Sequence, residues 1–425
     1  MTSAKKLGAA AAVAALGLTL AGCAAASAPE PAATTAAPGS VDLRMSVWTS
    51  NEDQLALFTA IADAYKADHP EIGTITYESL PFADYNTTLT TQIAGGNAPD
   101  LAWMGDLSRD LIAADALVPL TDPLQATKGW GYDDLLDSVT AEFSADGELY
   151  AYPFSNSPFA LYVNKNLLTQ AGVALDGDVT WEKIGELGAA VHQTTGKAGF
   201  VVRDFDYANW GQLATVWTGW GASAWSEDGK TCTLDSPEMV DAFTFLHDAA
   251  FVNQSMPGPG TTADFFAGDA AFTVAQVSRA ALLDGSFEYD VIPLPEGPKG
   301  HYSVIGQAGV GVLASGSHVQ EATDFLAFLT NPENAEKLAQ YFPPPRESLL
   351  TGDKLAENNP KLTADQLQTV VVDQLPDAVT LPNHTGPAEI KAAGKTALDA
   401  MWTADADVKS VLAAACDAIT PLLSK

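Results

Sequence analysis

Residues 41–104 read VDLRMSVWTSNEDQLALFTAIADAYKADHPEIGTITYESLPFADYNTTLTTQIAGGNAPDLAWM. Val41, Leu43, Met45 and Val47 alternate with Asp42, Arg44 and Ser46, the period of a strand with one face buried. Ser50 or Asn51 then caps a helix whose apolar positions, Leu55, Phe58, Ile61, Ala62 and Tyr65, recur every three or four residues until His69-Pro70 stops it. Ile75 and Tyr77 mark a second strand, Phe82–Ile93 reads as a helix closed by Gly95-Gly96, and Leu101–Met104 is a short buried strand. This β-α-β-α-β order predicts an α/β domain with a mainly parallel sheet. In such sheets ligands sit beyond the carboxyl ends of the strands, where strand order switches.

The same style continues along the 425 residues, a length that suggests two domains. Leu161–Val163, Tyr289–Ile292 and Gly309–Leu313 are strand-like. Trp181–His192 (entered from Thr180), Phe243–Phe251 and Ala322–Leu329 are helical, as is much of the chain from Thr363 onward, with breaks near Pro376, Pro382 and Pro387. The start is different. Lys5 and Lys6 precede an uncharged run, Leu7–Leu20, too short to span a bilayer comfortably. It ends Leu20-Ala21-Gly22-Cys23, which resembles the lipobox of bacterial lipoproteins. That resemblance implies a signal peptide over 1–22, cleavage before Cys23, and acylation of Cys23 as a membrane anchor on the outer face; the alternative is a plain secretory signal with an incidental cysteine. Residues 24–40 are Ala, Pro, Thr and Ser without periodicity, so 23–40 forms a disordered tether.

Composition excludes several function classes. Lys and Arg number 21 against 53 Asp and Glu, a net charge of −32 that repels phosphate backbones, so no nucleic-acid partner is expected. Six scattered histidines and three cysteines form no metal-ligand spacing, so no metal and no cofactor are expected. Cys232 and Cys416 either pair in an oxidising compartment or stand as separate thiols. There is no G-x-S-x-G elbow, and Gly394-Lys395-Thr396 lacks the first glycine and the strand of a P-loop. Aromatic residues stand out instead. Trp48 ends the first strand, Trp103 lies three residues before Asp106, and Trp210, Trp217, Trp220 and Trp225 fall within sixteen residues. Aromatic faces beside carboxylates and amides suit sugars, whose C–H faces stack while their hydroxyls hydrogen-bond; most of the nine tryptophans nevertheless belong to the core.

Several blocks, in order, resemble the extracellular solute-binding proteins of bacterial ABC importers, specifically the maltose-binding-protein-like carbohydrate family: YKADHPEI (65–72), QIAGGNAPDLAWMGD (92–106), DGELYAYPF (146–154), ALYVNKNLL (160–168), FFAGDAAF (265–272), VIPLPEGPKG (291–300) and EATDFLAFLTNPENAEKLA (321–339). The resemblance implies a type II, two-lobed α/β fold whose hinge is crossed more than once. Lobe one would comprise 41–155 with 299–345 and lobe two 156–298 with 346–425. The crossings would fall at Phe154–Ser157, Pro293–Lys299 and around Pro343–Arg346. It implies a carbohydrate ligand in the cleft, no catalysis, membrane permease subunits as partners, and a monomer. Trp48, Asn51 and Glu52 would face the cleft from lobe one, and Asp106 would accept sugar hydroxyls, while Asp100 is read as structural. Asn156 and Ser157 stand where some relatives place an acidic ligand residue. Trp210, near Asp206 and Tyr207, would contribute from lobe two. Gln276, Arg279 and Gln307 complete the expected lining; Arg346 either contacts ligand or bridges the lobes.

Two alternatives make different demands. A secreted glycoside hydrolase needs two carboxylates about 5–10 Å apart, for which Glu52 and Asp106 are the available pair. A polyamine-binding protein of the same fold would use the acidic, aromatic cleft for cation–π and carboxylate contacts. A phosphorylated ligand would need clustered Arg and Lys, and Arg109, Arg203, Arg279 and Arg346 are spread out.

Overall fold

A computed structural model describes residues 37–202, 210–357 and 359–424. The leader over 1–22, Cys23, most of the tether, Arg203, Asp206 and Tyr207 lie outside the described residues. Among the described residues no helix is long and apolar enough to cross a membrane.

The three strands read from 41–104 are β1 (Val41–Val47), β2 (Ile72–Ser79) and β3 (Leu101–Met104), joined by helices α1 (Glu52–Asp68) and α2 (Phe82–Ala94). The cap is Asn51, whose side chain accepts the Gln54 N–H, and α1 ends at His69 as the His-Pro pair predicts. β1 pairs in parallel with both β2 and β3. Apart from a separate hairpin of Ser144–Ala145 and Glu148–Leu149, the remaining described strands are β4 (Ala151–Asn164), β5 (Ala198–Val201), β6 (Ala270–Gln276), β7 (Tyr289–Ile292), β8 (Val304–Val312) and β9 (Val379–Thr380). Their order is β2-β1-β3-β8-β4-β6-β5, with β9 on β8 and β7 on β4. The sheet is mixed rather than mainly parallel. β8 runs antiparallel to β3 and β4, and β4 antiparallel to β6 and β7, because β4 and β8 each pass from one lobe to the other.

β4 carries the architecture. All fourteen residues are buried, as expected of a strand covered on both faces. Its first half, Ala151–Pro158, pairs with β8, and Phe159–Asn164 pairs with β6 and β7. The first core joins Val41–Phe154 to Ala308–Phe342 and fills lobe one. Lobe two holds two further cores, one on each face of its sheet. Phe159, Leu161 and Val163 point into one; Ala160 and Tyr162 point into the other.

These cores correct two details of the expected lobe division. Val304 and Ile305 belong to lobe two, so the second crossing lies between Ile305 and Ala308 inside β8, not at Pro293–Lys299. The earlier stretch is tied to lobe two by backbone hydrogen bonds from Glu296 to Val179 (2.8 Å) and from Trp181 to Glu296 (3.1 Å). Val139, placed in lobe one by its position in the chain, packs into the second core of lobe two. A disulfide joins Cys232 to Cys416, tying the loop near Trp225 to the last helix of lobe two.

Candidate functional site

The register Met45↔Leu101 and Ser46↔Ala102 sets the carboxyl ends of β1 and β3 side by side. The residues that follow, Trp48 and Asp106, therefore share one edge of lobe one. Trp48 is half-buried. It meets Tyr85 and Trp103 edge-on, each at 5.0 Å between centroids, and Phe82 at 5.8 Å. Phe82 is 75% exposed. The cluster is fixed from below, where the Tyr85 hydroxyl donates to the Ser46 and Trp103 carbonyls, both at 3.0 Å. Burial pushes the Tyr85 phenol well above its ordinary pKa, so it remains a donor. Asn51 and Glu52 are exposed at the start of α1, on the same edge. Asn51 Oδ1 is engaged by Gln54 N at 3.0 Å.

Asp106 is half-exposed, and its carboxylate is in contact with the Lys391 ammonium. Three more helices are needed here: α3 (Ser108–Ala113) after Asp106, α4 (Trp210–Trp217), and α5 (Pro387–Leu398), which carries Lys391 and packs in lobe two. Two further polar contacts cross the same seam. Gly386 N donates to Asp110 at 2.9 Å, and Asn383 Nδ2 donates to Glu142 at 2.5 Å. Glu142 also pairs with Arg109 at 2.9 Å within lobe one. A cavity of about 360 Å³ opens along this seam between α3 and the start of α5. A larger one, about 560 Å³, lies around Tyr65, His69 and Phe328, at the far end of α1 from Asn51 and away from the strand ends. Among the described residues no three His, Cys, Asp or Glu side chains converge as metal ligands.

The remaining expected ligand residues divide. Gln276 and Gln307 are half-buried at the crossing strands, and Arg279 is exposed on the turn after β6. Gly306 leaves the space that the Gln276 amide fills; any Cβ there would collide with it. Asn156 and Ser157 are fully buried. They sit inside β4, where the chain passes between lobes. Asn156 Nδ2 donates to the Pro153 carbonyl at 2.8 Å, its Oδ1 accepts from Gln307 Nε2 at 2.7 Å, and Ser157 Oγ accepts Ser278 N at 3.0 Å. Gln307 Nε2 also donates to the Val139 carbonyl at 2.8 Å. These amides join crossing strands to one another. Trp210 is likewise a core residue, 1% exposed, at the start of α4 against Trp217 and Trp225. Gly394 makes room for it: a Cβ at that position would stand 2.5 Å from its ring. Hence the Gly-Lys-Thr sequence is a packing feature.

The side-chain partners of Arg346 all lie in lobe one rather than across the lobes. Arg346 is fully buried there, so lobe one extends past residue 345, where the expected division ended it. Its guanidinium donates to the Thr330 carbonyl at 2.8 Å and the Gly131 carbonyl at 3.1 Å, lies 3.6 Å from Asp134, and stacks 4.4 Å over the Trp130 ring. A cation without solvent must be satisfied in this way. Asp100 is structural, as expected: 4% exposed, it accepts the N–H groups of Arg44 (2.9 Å), Ser317 (3.1 Å) and His318 (3.2 Å). It staples the start of β3 to the turn before the helix at Val319.

Residues 60–364 match the family model of bacterial extracellular solute-binding proteins, most of the chain. The chain belongs to that family. As a solute-binding protein it resembles an arabinooligosaccharide-binding protein of Halalkalibacterium halodurans, 26% identical over 335 residues that cover 73% of each chain. It also resembles the sn-glycerol-3-phosphate-binding periplasmic protein UgpB of Escherichia coli (strain K12), 25% identical over 338 residues, 69% of this chain and 72% of that one. Among solved structures, the ABC substrate-binding protein Lmo0181 of Listeria monocytogenes, in complex with cycloalternan, superposes with a TM-score of 0.79 at 21% identity over 90% of this chain and 99% of that one. The two-lobed type II fold is thereby established, and the family assigns binding outside the cell rather than bond-breaking, which removes the hydrolase alternative.

Sequence reading of this solute-binding protein missed two residues at the same edge. Phe82 looks like the first core position of an amphipathic helix, and only the three-dimensional neighbourhood of Trp48 shows it facing out. Lys391 lies 285 positions from Asp106 in the chain, and no local pattern links them.

Proposed function

We propose that this protein captures a carbohydrate outside the cell, closes its lobes on it, and delivers it to the permease of an ABC importer. The observation that carries this is the edge of lobe one: a half-buried Trp48 fixed by Tyr85 and Trp103, an exposed Phe82 beside it, and a carboxylate, Asp106, past the end of the adjacent strand. An aromatic face with an adjacent carboxylate takes the C–H face and the hydroxyls of a sugar at once. The oligosaccharide-binding relative supports the same class of ligand. Cys23, after cleavage, would carry lipid and hold the protein at the outer face of the membrane, with residues to Ser40 as the tether. The protein acts as a monomer.

The test is a thermal-shift series with monosaccharides, α- and β-linked oligosaccharides, glycerol phosphates and polyamines. A ligand at 100 times its Kd stabilises the folded state by about 2.7 kcal/mol, a shift of a few degrees. Stabilisation by one sugar class supports the proposal; stabilisation by glycerol phosphates or polyamines alone overturns it. Mass spectrometry of the membrane-extracted protein, with the N-terminal peptide diacylated at Cys23 or not, decides the anchor.

A further inference from the structure

The contact between Asp106 and Lys391 joins opposite lobes. Asp106 follows β3 and belongs to lobe one; Lys391 lies on α5, whose Ile390 and Leu398 are in the core of lobe two. Neither side chain is sealed from solvent, with 46% and 23% of their surfaces exposed. The pair therefore stands at an accessible part of the seam, beside the Trp48 platform. The Asp110–Gly386 and Glu142–Asn383 contacts run along the same seam, and all three place a lobe-one carboxylate against a lobe-two donor.

We infer that Lys391 is a specificity-determining residue: it is the lobe-two counterpart of Asp106, holds the lobes together when the cleft is empty, and restricts the ligand to neutral or acidic polyols. The inference rests on the carbohydrate reading for its ligand, but not for the lobe contact. A ligand that enters between the two groups has to replace what each loses. A sugar does so with adjacent hydroxyls, one donating to Asp106 and one accepting from Lys391. A cationic ligand satisfies Asp106 but leaves the Lys391 ammonium facing a like charge across a closing cleft, which is disfavoured. The resident lysine thus selects against the polyamines that the acidic surface would otherwise attract.

Two measurements test this. In the first, dyes are placed one on each lobe, and the distribution between near and far states is read without ligand at low and high salt. Wild type should shift toward the far state with salt. Lys391→Met should show a near-to-far ratio about two- to fivefold lower already at low salt, as expected for loss of a solvent-exposed ion pair. Exchange of the two charges, Asp106→Lys with Lys391→Asp, should restore it. A distribution indifferent to salt and to Lys391→Met overturns the pairing, whatever the ligand. In the second, the sugar identified by thermal shift and spermidine are titrated into wild type, Lys391→Met and Lys391→Glu. Lys391→Met should weaken the sugar about tenfold or more, and Lys391→Glu should gain stabilisation by spermidine that wild type lacks. Unchanged sugar affinity in Lys391→Met, or spermidine binding by wild type, overturns the specificity role. If no sugar binds wild type, the carbohydrate reading fails and the first measurement alone decides the lobe contact.

Discussion

The two lobes share a sheet but are secured differently. Lobe one has a single core and places at its heart a charged side chain, Arg346, on Trp130 and two carbonyls. Lobe two has a core on each face of its sheet and a disulfide from Cys232 to Cys416 across 184 positions. The lobe that presents the aromatic edge and Asp106 is built around a buried polar hub. The lobe that supplies Lys391 is cross-linked, so its last helices, α5 and α6 (Val408–Ile419), are held at a defined place against the rest of it.

The largest effect expected is at that hub. Arg346→Ala removes a buried cation, takes the side-chain donor from the Thr330 carbonyl and leaves a void on the Trp130 ring, and should cost about 3–5 kcal/mol, read by urea unfolding. Hydrogen exchange should show the loss in lobe one first; a loss below 1 kcal/mol would mean that lobe one does not depend on its cation. Removing the cross-link, with Cys232→Ala and Cys416→Ala together, should cost about 2–4 kcal/mol. Here exchange should quicken in α6 and leave β1–β3 unchanged; equal loosening of both lobes would erase the contrast. At the crossing, Gln307→Leu strips donors from the Val139 carbonyl and Asn156 Oδ1 and should cost about 1–3 kcal/mol. That change should alter the relative motion of the lobes more than the stability of either.

Phe82→Ala separates binding from stability. The exposed ring should leave unfolding within about 0.5 kcal/mol of wild type, while sugar Kd rises roughly fivefold, the loss of about 1 kcal/mol of aromatic contact. An unaltered Kd would remove Phe82 from the site. The smallest effect concerns lobe one and pH. The hydrogen bond from Arg44 holds the Glu78 carboxyl below the usual carboxylate range. A depressed native pKa contributes stability above the unfolded pKa and loses it as pH falls through the native value. Stability should therefore decline on acidification less steeply in Glu78→Gln than in wild type, and parallel curves would exclude the pair as a contributor.

Much of this was legible before any coordinates. The alternation of Val41–Val47, the Asn51 cap and the His69-Pro70 stop are local signals, and local signals set local structure. Asp100 was readable as structural from its place in the Pro-Asp turn, although the N–H groups it accepts come from Arg44, Ser317 and His318, far away in the chain. Where the structure departs from the expectation, depth and distance are the reasons. Asn156 and Ser157 were expected at the site because the resemblance places a ligand residue there; in this chain their side chains are buried and join the crossing strands. The resemblance offered Trp210 as a contributor from lobe two and Arg346 as a ligand contact or a bridge between lobes, yet an indole or a guanidinium serves equally in a core when stacked or hydrogen-bonded. Lys391 is brought to Asp106 only by the docking of two lobes, which no periodicity encodes.

The continuous strand β4 and its neighbour β8 have a consequence for biogenesis. The core of lobe one begins at Val41 and is complete only when Ala308–Phe342 has been made, and the first core of lobe two still awaits Leu423. During synthesis or threading through a membrane, a chain stopped near residue 300 would possess no finished lobe at all. Contacts this distant in sequence make folding slow and late. The chain therefore has no complete lobe core until most of its length is made, a condition that suits a polypeptide whose route leads out of the cell before it folds.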